Sequence, residues 1–199
     1  MDRNIIQHFQ SVDQILYRIV LSVDIKPLSS DRDYFKSLCN AIICQQLSEK
    51  AGRTIWQRFE SIFLSGTFTP DKVLKISVET MRNSGVSNAK ARYIHAIAQA
   101  FLDRIVKPEE FVHMTDEEII QVLVTIKGIG RWTAEMFLIF SLGRLDVFSA
   151  GDLGLRKALQ KAYGLKSLPN EKWIGRKSKL WSPYKSYAAL ALWKSLESL

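Results

Sequence analysis

The stretch that decides the fold is QVLVTIKGIGRWTAEMFLIFSL, residues 121–142. Apolar residues recur at helical spacing on both sides of residues 127–130, so the pattern predicts two helices joined by a tight turn. Gly128 and Gly130 would allow positive φ and close approach of another backbone in that turn. The first N–H groups of the second helix have no acceptor in their own helix, and together with the helix dipole they suit a phosphate.

Basic residues flank this turn. Lys127 and Arg131 add positive charge beside the predicted phosphate site, and Ile129 is expected to pack back between the two helices. The alternative is a tight turn between helices that binds no ligand, which a Gly-x-Gly pattern alone would favour. The two flanking helical segments and the two cations favour phosphate binding by the turn and its neighbours, residues 127–131.

The rest of the chain also has helical spacing, and no run of two-residue alternation indicates a strand. Capping residues predict where further helices begin: Asp31, Ser48, Thr69 followed by Pro70, Ser87, and a capping box at Thr115 and Glu118. Helical patterns also fit residues 131–142, 153–163 and 184–198. Residues 164–183 are the least regular and indicate a linker or a DNA-facing loop, with most of their lysines expected on a solvated surface. The sequence predicts an all-α fold.

Charge is distributed unevenly along the chain. It has 28 basic and 20 acidic residues; residues 1–120 hold 15 of each, which leaves 13 basic and 5 acidic in residues 121–199. The whole excess of +8 in this second part indicates a polyanionic partner, either nucleic acid or an anionic membrane surface. The longest apolar runs are too short to span a bilayer, which favours nucleic acid.

Composition excludes other classes of protein. At 47% hydrophobic and 24% charged residues the chain is typical of a globular protein. Cys39 and Cys44 cannot supply a disulfide framework or four cluster ligands, so reduced thiols are expected. No signal-peptide pattern follows Met1. We therefore expect a cytoplasmic protein at the nucleoid in a prokaryote, or a nuclear protein in a eukaryote.

Several segments together resemble one family. GIGRWTAE (128–135) followed by DVFSAGDLGLRKA (146–158) is similar to the helix-hairpin-helix (HhH-GPD) DNA glycosylase superfamily, nearest to its DNA-3-methyladenine glycosylase II branch. FKSLCNAIICQQLSEKAG (35–52), GVSNAKARYI (85–94) and WSPYKSYAALALW (181–193) agree in order and spacing. The resemblance covers roughly residues 31–195. It implies two helical lobes with an active-site cleft between them: residues 1–30 with 144–199, and residues 31–143 ending in the hairpin.

Asp152 stands out as an acidic residue in the basic part of the chain. From the pattern alone, its first role is to cap the helix that begins at Leu153. The resemblance instead places Asp152 at the family's catalytic aspartate. The two roles are compatible, because a helix N-terminus stabilises an ionised carboxylate. Such a carboxylate would stabilise an oxocarbenium-like sugar and activate water. Asp146, which begins the same motif, is expected to bond backbone amides.

Aromatic residues carry the rest of the implied chemistry. Some family members place a Schiff-base lysine where this chain has Trp132, so the resemblance implies a monofunctional enzyme that leaves an abasic site without cutting the strand. Trp132 and Trp193 match pocket positions where rings would stack on cationic N3-methyladenine or N7-methylguanine. The alternative is that both are core residues. Met136 and Leu153 replace pocket tyrosines of some members, which indicates a narrower preference for cationic bases.

Base flipping and backbone contacts are also implied by the resemblance. Gln46 or Leu47 would be the wedge that fills the gap in the duplex, although the glutamines at 45 and 46 could equally hold the turn between helices. Lys90 and Lys185 are candidate phosphate contacts. No cofactor and no catalytic metal are expected. The carbonyls of Ile126 and Ile129 are a candidate site for a monovalent cation shared with the phosphate.

The sequence therefore predicts a monomeric DNA glycosylase that hydrolyses the N-glycosidic bond of alkylated bases in double-stranded DNA, with no membrane partner. Two alternatives remain open at this point. One is a glycosylase for deaminated or oxidised bases. The other is a non-catalytic helix-hairpin-helix module that holds damaged or branched DNA.

Overall fold

The computed structural model describes residues 2–63 and 67–197. In that part of the chain every regular element is helical and no strand occurs, which confirms the predicted all-α class. The α-helices are α1 (Arg3–Val12), α2 (Gln14–Ser22), α3 (Tyr34–Cys44), α4 (Glu49–Glu60), α5 (Pro70–Lys75), α6 (Val78–Asn83), α7 (Asn88–Leu102), α8 (Asp116–Val124), α9 (Arg131–Phe140), α10 (Leu153–Ala162), α11 (Glu171–Ser178) and α12 (Lys185–Glu197). Short 3₁₀ helices lie at Ser61–Phe63, Pro108–Glu110 and Lys179–Trp181.

The helices form two compact units. One contains Met1–Ser30 and Leu138–Leu199, and the other contains Asp31–Phe137. The division within α9 lies before the boundary at residues 143/144 expected from the sequence.

The first unit is built on a core to which α1, α2, α10, α11 and α12 contribute. Phe9, Leu16, Leu155, Trp181 and Leu192 are completely buried there. The helical spacing of these apolar residues explains why each helix buries one face.

Asp13 joins several elements of this unit. It ends α1 and caps α2, accepting the N–H groups of Ile15 and Leu16 through Oδ1. Its Oδ2 accepts hydrogen bonds from the Tyr163 hydroxyl at 2.6 Å and the Trp181 indole at 3.0 Å, and it lies 2.8 Å from the Lys177 ammonium. The buried carboxylate thereby ties α1 and α2 to α10 and to the segment that follows α11.

The second unit has its own apolar core. Leu38, Ile42, Ile94, Ile119 and Leu123, from α3, α7 and α8, are fully buried. These helices bring the turn after α3 and the turn after α8 into one compact body, so the second unit contains both the predicted wedge and the predicted hairpin.

Most predicted helix starts are confirmed. Ser48 and Ser87 accept N–H bonds as N-caps, and Thr115 with Glu118 forms the capping box. The prediction for Asp31 is wrong, because Asp33 caps α3 by accepting the Lys36 N–H.

Asp31 and Thr69 use their side chains differently from the prediction. Asp31 accepts hydrogen bonds from the Asp33 N–H at 3.2 Å and from the Ser37 hydroxyl at 2.8 Å. These bonds hold the segment just before α3 against its first turn. Thr69 occupies the N-cap position before Pro70, but its hydroxyl bonds the Asp71 carboxylate and caps no backbone amide.

Residues 164–183 contain a helix that the sequence reading missed. Asn170 is the N-cap of α11 and accepts the Trp173 N–H, and the helix continues into the 3₁₀ turn Lys179–Trp181. Ile174 and Trp181 are completely buried. The segment has few apolar positions and an internal glycine, so its sequence pattern does not predict a helix. The helix forms because its N-cap and its packing in the core stabilise it.

None of the helices within the described ranges has the combination of length and apolar character needed to cross a membrane.

Candidate active site

The turn between α8 and α9 has different requirements at its two glycines. Gly128 has φ +99°, and a Cβ there would lie 2.3 Å from Tyr93 Cγ, so both the backbone and the neighbouring ring require glycine. Gly130 differs from the prediction: its φ is not positive, and no atom outside its immediate neighbours lies within 4 Å of a Cβ built there. Its open side leaves room for a ligand to approach the backbone.

Ile129 holds the turn from inside. Its side chain is 4% exposed, which confirms that it packs inward. Its N–H donates to the Ile126 carbonyl at 3.0 Å, so this amide is used within the turn and does not point outward as a donor. The same bond uses one lone pair of the Ile126 carbonyl. The cation site at the carbonyls of Ile126 and Ile129 stays a prediction.

The two cations of the hairpin have different surroundings. Lys127 is exposed. Arg131 directs two guanidinium nitrogens to Glu117 at 2.8 and 3.1 Å, and a third to Glu135 at 3.1 Å. The bonds from Arg131 and Gln121 lower the Glu117 pKa to about 2. A phosphate contact by Arg131 would therefore compete with carboxylates of its own unit.

The turn after α3 presents the two wedge candidates. Gln46 has φ +56°, in the left-handed region that few non-glycine residues adopt. Gln46 and Leu47 are both exposed, and Leu47 is 39% exposed despite its apolar side chain. Left-handed strain of this kind clusters at functional sites, which supports the wedge prediction without choosing between the two residues.

Gln45 has a different role from its neighbour. Its side-chain amide donates to the Gly128 carbonyl at 3.3 Å and to the Thr133 hydroxyl at 2.9 Å. The alternative in which the glutamines hold a turn therefore applies to Gln45, which links the wedge turn to the hairpin. A sequence pattern does not reveal this link, because residues 45 and 133 come together only through folding.

Lys90 also holds the turn after α3, through two backbone carbonyls. Its ammonium donates to the carbonyls of Ile43 and Gln45, both at 2.8 Å, and burial lowers its pKa. Lys90 thus satisfies carbonyls that the end of α3 leaves without helical partners. Two of its three donors are used in this way, and its phosphate contact stays a prediction.

Asp152 occupies the N-cap of α10, which confirms the capping role. Its Oδ1 accepts the Leu155 N–H at 2.7 Å and the Trp193 indole N–H at 3.0 Å. The Trp193 ring also stacks on Phe140, with centroids 6.0 Å apart and planes inclined by 28°. The carboxylate is therefore held by a backbone amide and by an aromatic side chain that is itself packed.

Phe140 is a candidate site residue that the sequence reading missed. It is 52% exposed at the end of α9 and lines a pocket of about 300 Å³ in the first unit. The other lining residues are Ile25, Lys26, Pro27, Leu28, Ser29, Leu190 and Lys194. Phe140 lies eight residues after Trp132 on α9, so helical spacing from the predicted pocket residue could have identified it.

The remaining pocket candidates are accessible. Trp132 is 46% exposed on α9, and Leu153 is 52% exposed at the start of α10. Trp132 is thus not a core tryptophan, unlike Trp181, which is completely buried. Stacking of Trp132 on a base stays a prediction.

Lys185 and Asp146 form an ion pair. The Lys185 ammonium lies 2.9 Å from Asp146 Oδ2, which also accepts the Ser182 hydroxyl at 2.7 Å. Asp146 Oδ1 accepts the Lys185 backbone N–H at 3.4 Å, confirming that Asp146 bonds a backbone amide. Lys185 starts α12 with its charge partly neutralised by Asp146, and its phosphate contact stays a prediction.

Comparisons with known proteins agree with this geometry. A family described as HhH-GPD superfamily base excision DNA repair protein matches residues 39–183. The chain is 36% identical over 193 residues to DNA-3-methyladenine glycosylase 1 of Schizosaccharomyces pombe, covering 94% of this chain and 85% of that protein.

Solved structures give the same result. The S. pombe 3-methyladenine DNA glycosylase (Mag1) in complex with abasic DNA superposes with a TM-score of 0.88 at 35% identity, covering 98% of this chain and 97% of that one. A DNA-3-methyladenine glycosidase from Bacillus halodurans gives 0.85 at 34% identity, covering 98% and 89%.

Proposed function

This chain belongs to the HhH-GPD superfamily of base excision DNA repair proteins, and we propose that it is a monofunctional DNA glycosylase for alkylated bases in duplex DNA. The observation that carries the proposal is the placement of Asp152. This acidic residue lies in a strongly basic part of the chain, at a helix N-terminus, with two N–H donors on one of its oxygens. Both donors hold the carboxylate in a fixed position at the start of α10.

The reaction breaks the bond between the sugar C1′ and the base nitrogen. The bonding pair leaves with the base, so positive charge develops on C1′ and the ring oxygen. The Asp152 carboxylate stabilises that charge electrostatically. It then accepts a proton from water as the water oxygen bonds to C1′, which leaves an abasic site and a free base.

The leaving group explains why one carboxylate is sufficient. An N3-methyladenine or N7-methylguanine nucleotide already carries a positive charge on the base, which departs neutral without needing an acid. Trp132 offers a ring face to which a cationic base is attracted, a contact worth about 0.5–2 kcal/mol. The wide exposure of Trp132 supports this role.

A tryptophan at position 132 also supports the monofunctional assignment. Strand cleavage in bifunctional relatives depends on a lysine amine that forms a Schiff base at this position. Indole nitrogen carries its lone pair in the aromatic system and cannot act in that way. Lys127 and the backbone of the hairpin are proposed to bind a phosphate, with Gln46 or Leu47 filling the space of the flipped nucleotide. The protein would act wherever the DNA is held, at the nucleoid or in the nucleus.

One experiment tests the proposal. Methylated duplex DNA is incubated with the protein and with Asp152→Asn, and free bases and strand breaks are measured separately. We expect release of methylpurines by the parent protein, loss of at least about 100-fold in rate for the variant, and strand breaks only after heat or alkali. No base release by the parent protein would favour a non-catalytic DNA-binding module. Release of uracil or 8-oxoguanine but not of methylpurines would assign deaminated or oxidised bases instead.

A further inference from the structure

Two hydrogen-bond donors converge on one carboxylate oxygen of Asp152. The Leu155 N–H at 2.7 Å and the Trp193 Nε1–H at 3.0 Å both donate to Oδ1. Two donors from different helices on one oxygen fix the plane of the carboxylate as well as its position. Resting on the proposed function, we propose that Trp193 is a positioning residue, whose indole N–H holds the Asp152 carboxylate in the orientation in which it acts on the sugar C1′.

The Trp193 ring is itself held in place. Phe140 stacks on it, with ring planes inclined by 28°. Ser186, on the same helix and completely buried, accepts the Val147 N–H at 3.1 Å and donates to the Arg144 carbonyl at 2.6 Å. These bonds fix α12 against the loop that leads to Asp152. They therefore restrict movement of the Trp193 indole relative to the Asp152 carboxylate.

Gly154 makes the close approach possible. A Cβ at this position would lie 3.0 Å from Asp152 Oδ1 and 3.4 Å from both Cδ1 and Nε1 of Trp193. Gly154 does not have positive φ, so its backbone conformation does not require glycine. A methyl group would make tight contacts with both the donor and the acceptor, so the hydrogen bond between Trp193 and Asp152 would have to shift to accommodate it.

This role differs from stacking on the base. A stacking ring acts through its face and would lose little when tryptophan is replaced by phenylalanine. A positioning donor acts through its N–H, which phenylalanine lacks. The two roles therefore predict opposite results for Trp193→Phe, which keeps an aromatic ring against Phe140 but removes the bond to Asp152.

The test uses the full chain and single-turnover base release from methylated duplex DNA at saturating protein. We expect Trp193→Phe and Gly154→Ala each to slow base release roughly tenfold to a hundredfold, the value of a hydrogen bond to a charged group. Dissociation constants for duplex DNA containing an abasic-site analogue should stay within about twofold, because the phosphate contacts are untouched. The double variant should be little slower than the slower single variant, since both changes disturb the same bond.

Matched controls separate this effect from general damage. Trp173→Phe is the same substitution on α11, where the ring packs on Tyr163, and Gly175→Ala adds a methyl group with no atom within 4 Å. Both controls should release bases at the parent rate.

The proposal is overturned if Trp193→Phe keeps the parent rate, or if the losses of the two variants multiply. It is also overturned if Trp193 acts by stacking on the base. In that case Trp193→Phe, introduced into the Asp152→Asn variant, would weaken binding to methylated DNA by the same factor by which Trp193→Phe alone slows base release. No base release by the parent protein would instead defeat the proposed function itself.

Discussion

The side-chain amide of Gln45 donates a hydrogen bond to the hydroxyl of Thr133 at 2.9 Å. This bond joins the turn after α3 to the first turn of α9, and a second bond from the same amide reaches the Gly128 carbonyl. Two segments with separate proposed roles, the wedge and the phosphate-binding hairpin, are thereby held in register within one unit. A phosphate bound at the hairpin would fix the position of the residue that enters the duplex.

Gln45→Ala should show this coupling. The loss of both bonds is expected to cost about 1–2 kcal/mol in the free energy of unfolding, measured by urea denaturation. It should also slow base release, because the wedge turn loses its register with the hairpin. Unchanged stability would mean that the two bonds contribute nothing to holding the turn.

Gln46→Ala is the matched change one residue away. Gln46 is exposed, so stability should stay within about 0.5 kcal/mol. If Gln46 is the wedge, base release should fall for a base paired in duplex DNA and fall much less for the same base in a single strand, where flipping costs little. Equal losses on both substrates would exclude Gln46 as the wedge, and Leu47→Ala should then show the difference.

Gly128→Ala should destabilise the hairpin strongly. The added Cβ meets Tyr93 Cγ at 2.3 Å and forces alanine into a positive φ of 99°. Strain and overpacking together are expected to cost about 2–4 kcal/mol, measured by denaturant unfolding.

Gly130→Ala provides the contrast within the same turn. This position has open space around a Cβ and no positive φ, so stability should change little. DNA affinity should fall several-fold if a phosphate approaches this backbone, because the methyl group would occupy the space of the ligand. Normal affinity in Gly130→Ala would place the phosphate elsewhere on the turn.

The sequence predicted what local patterns can encode and missed what only folding brings together. The capping box at Thr115 and the cap at Asp152 follow from residue types at fixed short spacing, and both are present. The bond between Trp193 and Asp152 spans 41 residues, and no short-range pattern contains it. The charge of Arg131 predicts a phosphate contact, whereas the folded chain also gives it a carboxylate partner, Glu117, on the preceding helix.

The Asp13 carboxylate should make the stability of the protein depend on acid pH. Burial raises its pKa, but bonds from Lys177, Tyr163 and Trp181 outweigh burial and hold the folded pKa below the unfolded value of 3.8. A lowered folded pKa stabilises the fold above the unfolded value, and that contribution is lost as the pH falls through the folded value. Thermal unfolding between pH 2 and pH 7 should therefore show a decline concentrated below about pH 4.

Asp13→Asn tests whether Asp13, and not another carboxyl group, causes the loss of stability in acid. The variant leaves the partly buried Lys177 ammonium without its carboxylate, and it should lose at least about 2 kcal/mol at pH 7. The difference between parent and variant should shrink in acid, where the parent carboxylate is also neutral. A difference that stays constant from pH 7 to pH 2 would show that packing, and not charge, is responsible.

Glu117→Gln should change DNA binding through Arg131. The substitution weakens the paired bonds at 2.8 and 3.1 Å that direct the guanidinium to Glu117, and so it makes Arg131 more available to a phosphate. Affinity for duplex DNA should rise a few-fold. The slope of log affinity against log salt concentration should become steeper by up to about one, the value for one added phosphate contact. Glu109→Gln removes the same charge from an exposed pair with Arg104 and controls for the general effect of net charge. If both variants bind DNA equally, Arg131 makes no phosphate contact, and the charge of the hairpin acts through Lys127.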